Sequence, residues 1–84
     1  MNDQVMTLRQ HRMSQGLTIR ALVEKVKDST PPEKMSTQTI VSIENGKPAR
    51  IESFRKLAQA LGVEMMEIRE YRDLVMGEAV RVDR

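Results

Sequence analysis

One stretch decides the fold of this chain: Ser36-Thr37-Gln38-Thr39-Ile40-Val41-Ser42-Ile43-Glu44-Asn45-Gly46. Read as a helix, it places Ile40 and Ile43 one turn apart on an inward stripe. The hydroxyl of Ser36 can accept from the free backbone N–H groups of the first turn, and Asn45-Gly46 supplies a left-handed residue that stops the helix. The sequence therefore predicts both ends of a short helix.

The outward face of this helix is small and mostly polar. In the major groove of DNA, a Gln side chain pairs with adenine through two hydrogen bonds, and Ser and Thr hydroxyls reach bases or phosphates. A solvated helix face without a partner has a similar composition, because polar surface is the default. These outward residues leave both interpretations open: Thr37, Gln38, Val41 and Ser42.

Length and composition limit the possible classes of protein. The 84 residues make one domain, and with one Phe, one Tyr and no Trp its core must be aliphatic. The chain has no Cys, so it forms no disulfide. It also has neither an apolar run of roughly 18 residues nor a signal-peptide pattern, and we expect a cytoplasmic protein without a membrane segment.

Charge is distributed unevenly along the chain. Residues 1–56 carry ten of the 14 Lys and Arg and six of the 12 Asp and Glu, a net charge of +4. Residues 57–84 carry the remainder, a net charge of −2. The central helix lies in the basic part, which favours a polyanionic partner for that part.

Two helices are predicted before the central stretch. Helix 1 begins at about residue 4 or 7 and ends at Ser14, and the later start gives it a capping box from Thr7 and Gln10. Helix 2 spans about residues 18–27, and its apolar residues recur at helical spacing. These residues are Ile19, Leu22, Val23 and Val26.

A loop over residues 28–34 follows helix 2, because its two prolines cannot continue a helix. An early start of helix 3 is the alternative, with Pro31 at the first helical position and a capping box from Thr30 and Glu33.

Two further helices are predicted after the central stretch. Helix 4 runs from Ile51 to Leu61, and Gly62 ends it. Helix 5 begins near Glu64 and ends at Gly77. The tail over residues 78–84 alternates too briefly to define a strand, so a short edge strand and a disordered tail both remain open. The apolar stripe of helix 4 is Ile51, Phe54, Leu57, Ala58 and Leu61.

Motifs along the chain occur in a characteristic order. Leu8-Arg9-x-x-Arg12-x-x-x-Gly16-Leu17-Thr18 comes first, and the central stretch then ends in Ile43-Glu44-Asn45-Gly46-Lys47. Leu57-Ala58-x-Ala60-Leu61-Gly62-Val63 follows at the matching distance. This order resembles the Cro and lambda-repressor type of helix-turn-helix family, often called the XRE family, from residue 8 to about residue 69.

The resemblance implies an all-α fold: a five-helix, lambda-repressor-like DNA-binding domain with an enlarged loop between helices 2 and 3. It divides the chain into an N-terminal arm (1–6), a helix-turn-helix domain (7–69) and a C-terminal extension (70–84), which is a dimerisation segment or a flexible tail. The recognition helix, about 36–45, docks in the major groove of double-stranded DNA while helix 2 crosses the backbone.

The resemblance also implies the residues that contact DNA. Thr37, Gln38 and Ser42 fall where the family reads bases, and Gln38 is the strongest candidate for a base contact. The other positions fall at the rim of the reading surface or at the phosphate backbone: Thr18, Arg20, Ser36, Thr39, Asn45, Lys47 and Arg50. Arg12 and Glu44 match an ion pair between helices 1 and 3, which would fix the angle of helix 3 or be an ordinary surface pair.

The chain departs from the family pattern at two places. Ile19 stands where the family usually has a phosphate-contacting Gln, so Arg20 must substitute for it. Lys27 to Lys34 insert about seven residues into a normally tight turn, and we expect a tolerated surface insertion because longer loops cost little closure entropy. Phosphate contacts from Lys27 and Lys34 are the alternative.

These observations predict a transcriptional repressor that binds a palindromic operator as a homodimer through helix 5 and the tail. The alternative is a protein-interaction module, antitoxin-like or an anti-regulator, that uses the same fold without reading bases. No nucleophile, phosphate loop or metal cluster accompanies Glu64 and Glu67, so we expect no enzyme activity, cofactor, metal or small-molecule ligand. His11 has no partner residues for a metal site and is interpreted as a structural histidine.

Overall fold

A computed structural model describes residues 5–82 of the protein, and of residues 77–82 it describes the backbone. Within these residues the chain forms five α-helices and no strand, which confirms the all-α prediction. The helices are α1 (Leu8–Ser14), α2 (Ile19–Lys27), α3 (Thr37–Glu44), α4 (Ile51–Leu61) and α5 (Arg69–Val82), with a 3₁₀ turn at Met65–Glu67 between the last two.

Side-chain caps set the starts of the first three helices. Thr7 accepts from the N–H of Gln10 at 3.1 Å, and the Gln10 side chain accepts from the N–H of Thr7 at 2.9 Å, which completes the predicted capping box. Thr18 caps α2 through the N–H of Ala21, and Ser36 caps α3 through the N–H of Thr39. Each cap satisfies an amide that has no partner inside its helix, so local sequence fixes these boundaries.

The core is aliphatic apart from Phe54, close to what the composition predicts. Helix α2 packs against α3 and α4, and α1 packs against α3. The ring centroids of Phe54 and Tyr71 lie 5.5 Å apart, which joins α5 to α4. The buried apolar residues are Leu8, Leu22, Val26, Ile40, Ile43, Phe54, Leu57, Ala58, Leu61 and Ile68.

The prediction for helix 5 was wrong at both ends. A 3₁₀ turn and an extended Ile68 precede α5, because the backbone at Ile68 pairs with Met6: Arg69 N–H donates to Met6 O at 2.8 Å and Met6 N–H donates to Glu67 O at 3.1 Å. At the other end, α5 continues through Gly77 to Val82, so residues 78–82 are helical and the edge strand, one of the two alternatives for the tail, does not form there. A glycine between helix-forming neighbours costs only about 1 kcal/mol.

Ile51 does not join the core stripe of α4. It is the first residue of the helix and is 57% exposed, whereas Phe54, Leu57, Ala58 and Leu61 are buried. The helical spacing was correct, but the first turn of α4 extends beyond the edge of the core.

The loop between α2 and α3 contains no helix, so the early start of helix 3 was wrong. Glu33 does not cap a helix there, because its carboxylate accepts from Arg55 Nη2 on α4 at 3.2 Å. Met35, at the end of the loop, packs against the core. The inserted loop is therefore attached to the domain and does not project freely from it.

Gly46 ends α3 with a φ of +84°. Nothing lies within 4 Å of a Cβ built at this position, so only backbone strain opposes a side chain. We expect Gly46→Ala to lower the free energy of unfolding by about 1 kcal/mol, and Gly46→Asn to cost less because Asn tolerates the left-handed region. Urea denaturation measures both. If Gly46→Ala were as stable as the wild type, a left-handed backbone at residue 46 that favours glycine would be contradicted.

Candidate nucleic-acid interface

Helix α3 is held firmly by its inner face. Ile40 and Ile43 have no exposed surface, and they point into the core shared with α1 and α2. The Ser36 side chain caps the first turn of α3 by accepting from the N–H of Thr39. The backbone N–H of Asn45 closes the last turn by donating to carbonyls of α3. The outer face of α3 is therefore presented at a fixed angle.

The predicted base-reading residues lie on that outer face. Thr37 and Gln38 are exposed, and Ser42 is half-buried. None of the three side chains forms a hydrogen bond with another residue in the part of the chain that the structure describes. Their amide and hydroxyl groups are thus available to an external partner, and Val41 adds an apolar side chain, 40% exposed, on the same helix.

Ser36 and Thr39 have their hydroxyls engaged within the protein. Ser36 Oγ accepts from Thr39 N–H at 3.1 Å, and the two hydroxyl oxygens lie 3.0 Å apart. These residues shape the start of α3, and at most one hydroxyl hydrogen of the pair remains for an outside acceptor.

A groove runs between α3 and the start of α4. It encloses about 390 Å³ and brings together several predicted residues with Ser53, which the sequence reasoning missed. Ser53 lies one turn after Arg50 in α4, and no local sequence pattern indicated it, because the groove is formed between two helices. Arg50 precedes α4 without a side-chain cap, so the first N–H groups of α4 are open to an anion. The lining residues of this α3–α4 groove are Ser36, Gln38, Thr39, Ser42, Pro48, Ala49, Arg50 and Ser53.

The remaining predicted residues lie outside this groove. Thr18 caps α2 by accepting from Ala21 N–H at 3.0 Å, and Arg20 is exposed two residues later. Asn45 is the exposed C-cap of α3. Lys47 borders a different groove, of about 300 Å³, together with Glu70 and Asp73. The two carboxylates reduce the positive potential around Lys47, so Arg50 is the better placed cation for a phosphate.

Arg12 and Glu44 form the predicted pair between α1 and α3. Arg12 Nε donates to Glu44 Oε2 at 2.8 Å and Nη2 donates to Oε1 at 3.2 Å, while Nη1 donates to the carbonyl of Leu17 at 2.9 Å. The two side chains are only 11% and 9% exposed. The hydrogen bond to Glu44 raises the pKa of Arg12. Arg12 also offsets a carboxylate placed at the negative end of the α3 dipole, so the pair fixes that end of α3.

His11 is buried on α1, where its Nε2 lies 2.6 Å from the carbonyl of Glu67. The ring joins α1 to the 3₁₀ turn, which agrees with a structural role. Among the side chains that the structure describes, those of residues 5–76, no group of three or more His, Asp or Glu is arranged to hold a metal ion. No helix within residues 5–82 is long and apolar enough to cross a membrane.

Comparison with known proteins gives one match. A sequence model described as helix-turn-helix matches residues 8–68, which is most of the chain and includes α1 to α4 and the 3₁₀ turn. No curated protein and no solved structure matches the sequence significantly.

Proposed function

The chain belongs to the helix-turn-helix family of Cro and lambda-repressor type, a family of DNA-binding regulators and not of enzymes, and from this premise we propose that it is a transcriptional repressor. The repressor acts in the cytoplasm and binds a palindromic operator as a homodimer. Helix α3 enters the major groove and α2 crosses the backbone. Repression then requires only occupancy of a promoter.

One observation carries the proposal: Gln38 is exposed on a helix whose inner face is fully buried and whose ends are capped. Its side chain forms no hydrogen bond with another residue that the structure describes. An amide held in this way has the donor and acceptor that adenine requires. Thr37 and Ser42 lie beside it on the same face and supply hydroxyls for neighbouring base edges.

Dimer formation is supported by the outer side of α5. Tyr71 and Leu74 pack against the core of their own protomer, so they contribute little to a dimer surface. Val75 is half-buried and Met76 is 52% exposed, and both lie near the end of the described side chains. Two recognition helices about 34 Å apart, one per protomer, would bind two half-sites and multiply affinity through effective concentration.

The backbone contacts can be tested before the operator is known. We expect binding to random-sequence DNA to weaken with salt, and Arg50→Ala together with Lys47→Ala to reduce the slope of log affinity against log salt by about 0.9 for each lost contact. Fluorescence anisotropy across a salt series with a labelled duplex measures this slope. We expect the smaller share of the effect from Lys47, because Glu70 and Asp73 lie beside it.

A salt-independent affinity for DNA would contradict the proposal, since any protein held by phosphate contacts releases counterions. If the variant with both Arg50→Ala and Lys47→Ala kept the wild-type slope of log affinity against log salt, the loop after α3 would not contact DNA phosphates. Circular dichroism confirms that the variant is folded, which we expect because both side chains are exposed.

A further inference from the structure

A second groove lies beside the inserted loop, between the end of α2, the start of α3 and the middle of α4. It encloses about 580 Å³. Val23 and Met35 form the apolar part of the groove wall. Three lysines also line the groove: Lys27 from α2, Lys34 from the loop and Lys56 from α4. We call it the lysine groove.

The inserted loop forms one wall of the lysine groove because α4 holds it in place. Lys56 Nζ donates to the carbonyl of Lys34 at 3.1 Å, and Gln59 Nε2 donates to the carbonyl of Thr30 at 3.4 Å. Arg55 Nη2 adds an ion pair with Glu33 at 3.2 Å. A loop that was merely tolerated would need no such set of contacts, so the insertion builds a defined surface.

The charge of the lysine groove is positive, although Glu52 on α4 interacts electrostatically with Lys56. Its one carboxylate, Glu33, is already paired with Arg55. Hydrogen bonds to Glu52 and Glu33 raise the pKa of Arg55, so this cation stays charged beside Glu33. Within the part of the chain that the structure describes, none of the three lysines forms an ion pair. Three ammonium groups around one groove attract an anion with several charges.

The lysine groove continues into the α3–α4 groove. Ser36, Thr39 and Ser53 line both of them. The N-terminus of α3 lies at this junction, and its first amide N–H groups have no partner within the helix. A polyanion that follows the outer face of α3 therefore meets the lysines next.

We propose that the lysine groove binds phosphate, and that this phosphate belongs to the backbone of the DNA held by α3. The inference rests on the proposed function and extends it: Lys34 of the inserted loop, together with Lys27 at the end of α2, adds to the phosphate contacts of each protomer. A tight turn between α2 and α3 would leave no loop to carry Lys34 to this position. The insertion thus widens the DNA footprint beside the recognition helix.

The test compares two double variants of the full chain in the salt-series assay with random-sequence duplex. Lys27→Ala with Lys34→Ala removes two charges from the lysine groove, and Arg9→Ala with Arg69→Ala removes two charges from exposed positions outside the groove and outside α2 and α3. We expect the groove variant to lose about 0.9 of slope and about eightfold in affinity at 0.1 M salt for each lost contact. The control variant should keep the wild-type slope.

Each other outcome has a definite meaning. An equal loss in both double variants, or no loss in either, overturns the inference while the steep slope of the wild type upholds the proposed function. A wild type without salt-dependent binding removes the proposed function and the inference with it. A second experiment distinguishes DNA phosphate from the phosphate of a small ligand. Inorganic phosphate is titrated into the protein, and binding is monitored by the NMR shifts of the amides of Ser36 and Thr37. Binding of free phosphate that depends on Lys27 and Lys34, with an unchanged DNA slope, overturns the DNA assignment in favour of a small phosphorylated ligand.

Discussion

Glu44→Ala is expected to lower the free energy of unfolding by about 3 kcal/mol, at the lower end of the range for breaking a buried ion pair. The variant leaves the guanidinium of Arg12 with the Leu17 carbonyl as its remaining partner, in a site where the Arg12 side chain is only 11% exposed. Water reaches that small exposed fraction and keeps the cost from being larger. DNA affinity should also fall, because Glu44 is the last residue of α3 and its pairing fixes that end of the helix.

Urea denaturation of a double-mutant cycle measures this effect. Arg12→Met with Glu44→Met removes both charges, and we expect it to be more stable than Glu44→Met alone, because no charge is left buried without a partner. Glu52→Ala is the matched control, since it removes an exposed carboxylate whose pKa is lowered by its hydrogen bond with Arg55. If Arg12→Met and Glu44→Met each lowered the free energy of unfolding as little as Glu52→Ala, and if their effects added in the double variant, the Arg12–Glu44 pair would be an ordinary surface salt bridge.

Gln38→Ala is expected to remove about 1–3 kcal/mol of discrimination between the operator and other DNA at each half-site. A homodimer carries two copies of α3, so the loss doubles on a palindromic site. Binding to random-sequence DNA should stay nearly unchanged, with the same salt slope, because Gln38 carries no charge. Competition between labelled operator and unlabelled random duplex measures the specificity ratio.

Gln59→Ala provides the control for this variant. Gln59 is an exposed glutamine on α4, outside the outer face of α3, and its side-chain hydrogen bonds to Thr30 and Arg55 are long, at 3.4 and 3.5 Å. We expect Gln59→Ala to keep the wild-type specificity ratio, because any loosening of the loop at Thr30 would change phosphate contacts and weaken operator and random-sequence DNA alike. If Gln38→Ala still preferred the operator as strongly as the wild type does, other residues of α3 would have to read the bases.

The helices up to α4 could be predicted because their signals are local. Thr7, Thr18 and Ser36 each cap an amide three residues later, and Gly62 ends α4 with a positive φ. A cap depends on a few consecutive residues and on little else in the fold, so sequence alone locates it.

The features that depend on distant residues were missed. The break before α5 exists because Ile68 pairs with Met6, which lies far from it in sequence. The exposure of Ile51 depends on where the core ends, and helical spacing does not contain that information. The attachment of the loop to α4 through Glu33 and Arg55 likewise joins residues whose pairing no local pattern indicates.

The candidate site divides in the same way. The outward position of Gln38 follows from the burial of Ile40 and Ile43, and the helical period predicts it. The grooves are formed between helices, so neither Ser53 as a lining residue nor the acidic surroundings of Lys47 could be predicted from spacing. The ion pair of Arg12 and Glu44 was anticipated through the family resemblance and is confirmed by its geometry.

Selection of the tightest binders from random-sequence DNA, followed by sequencing and a salt titration of the selected sites, tests the central claim most directly. The account predicts a dyad-symmetric motif whose half-sites lie about one helical turn apart, with affinity that falls steeply as salt increases. Weak, unselective binding that salt does not change would contradict it. The helix-turn-helix domain would then serve a protein partner, and its outer α3 face would not read bases.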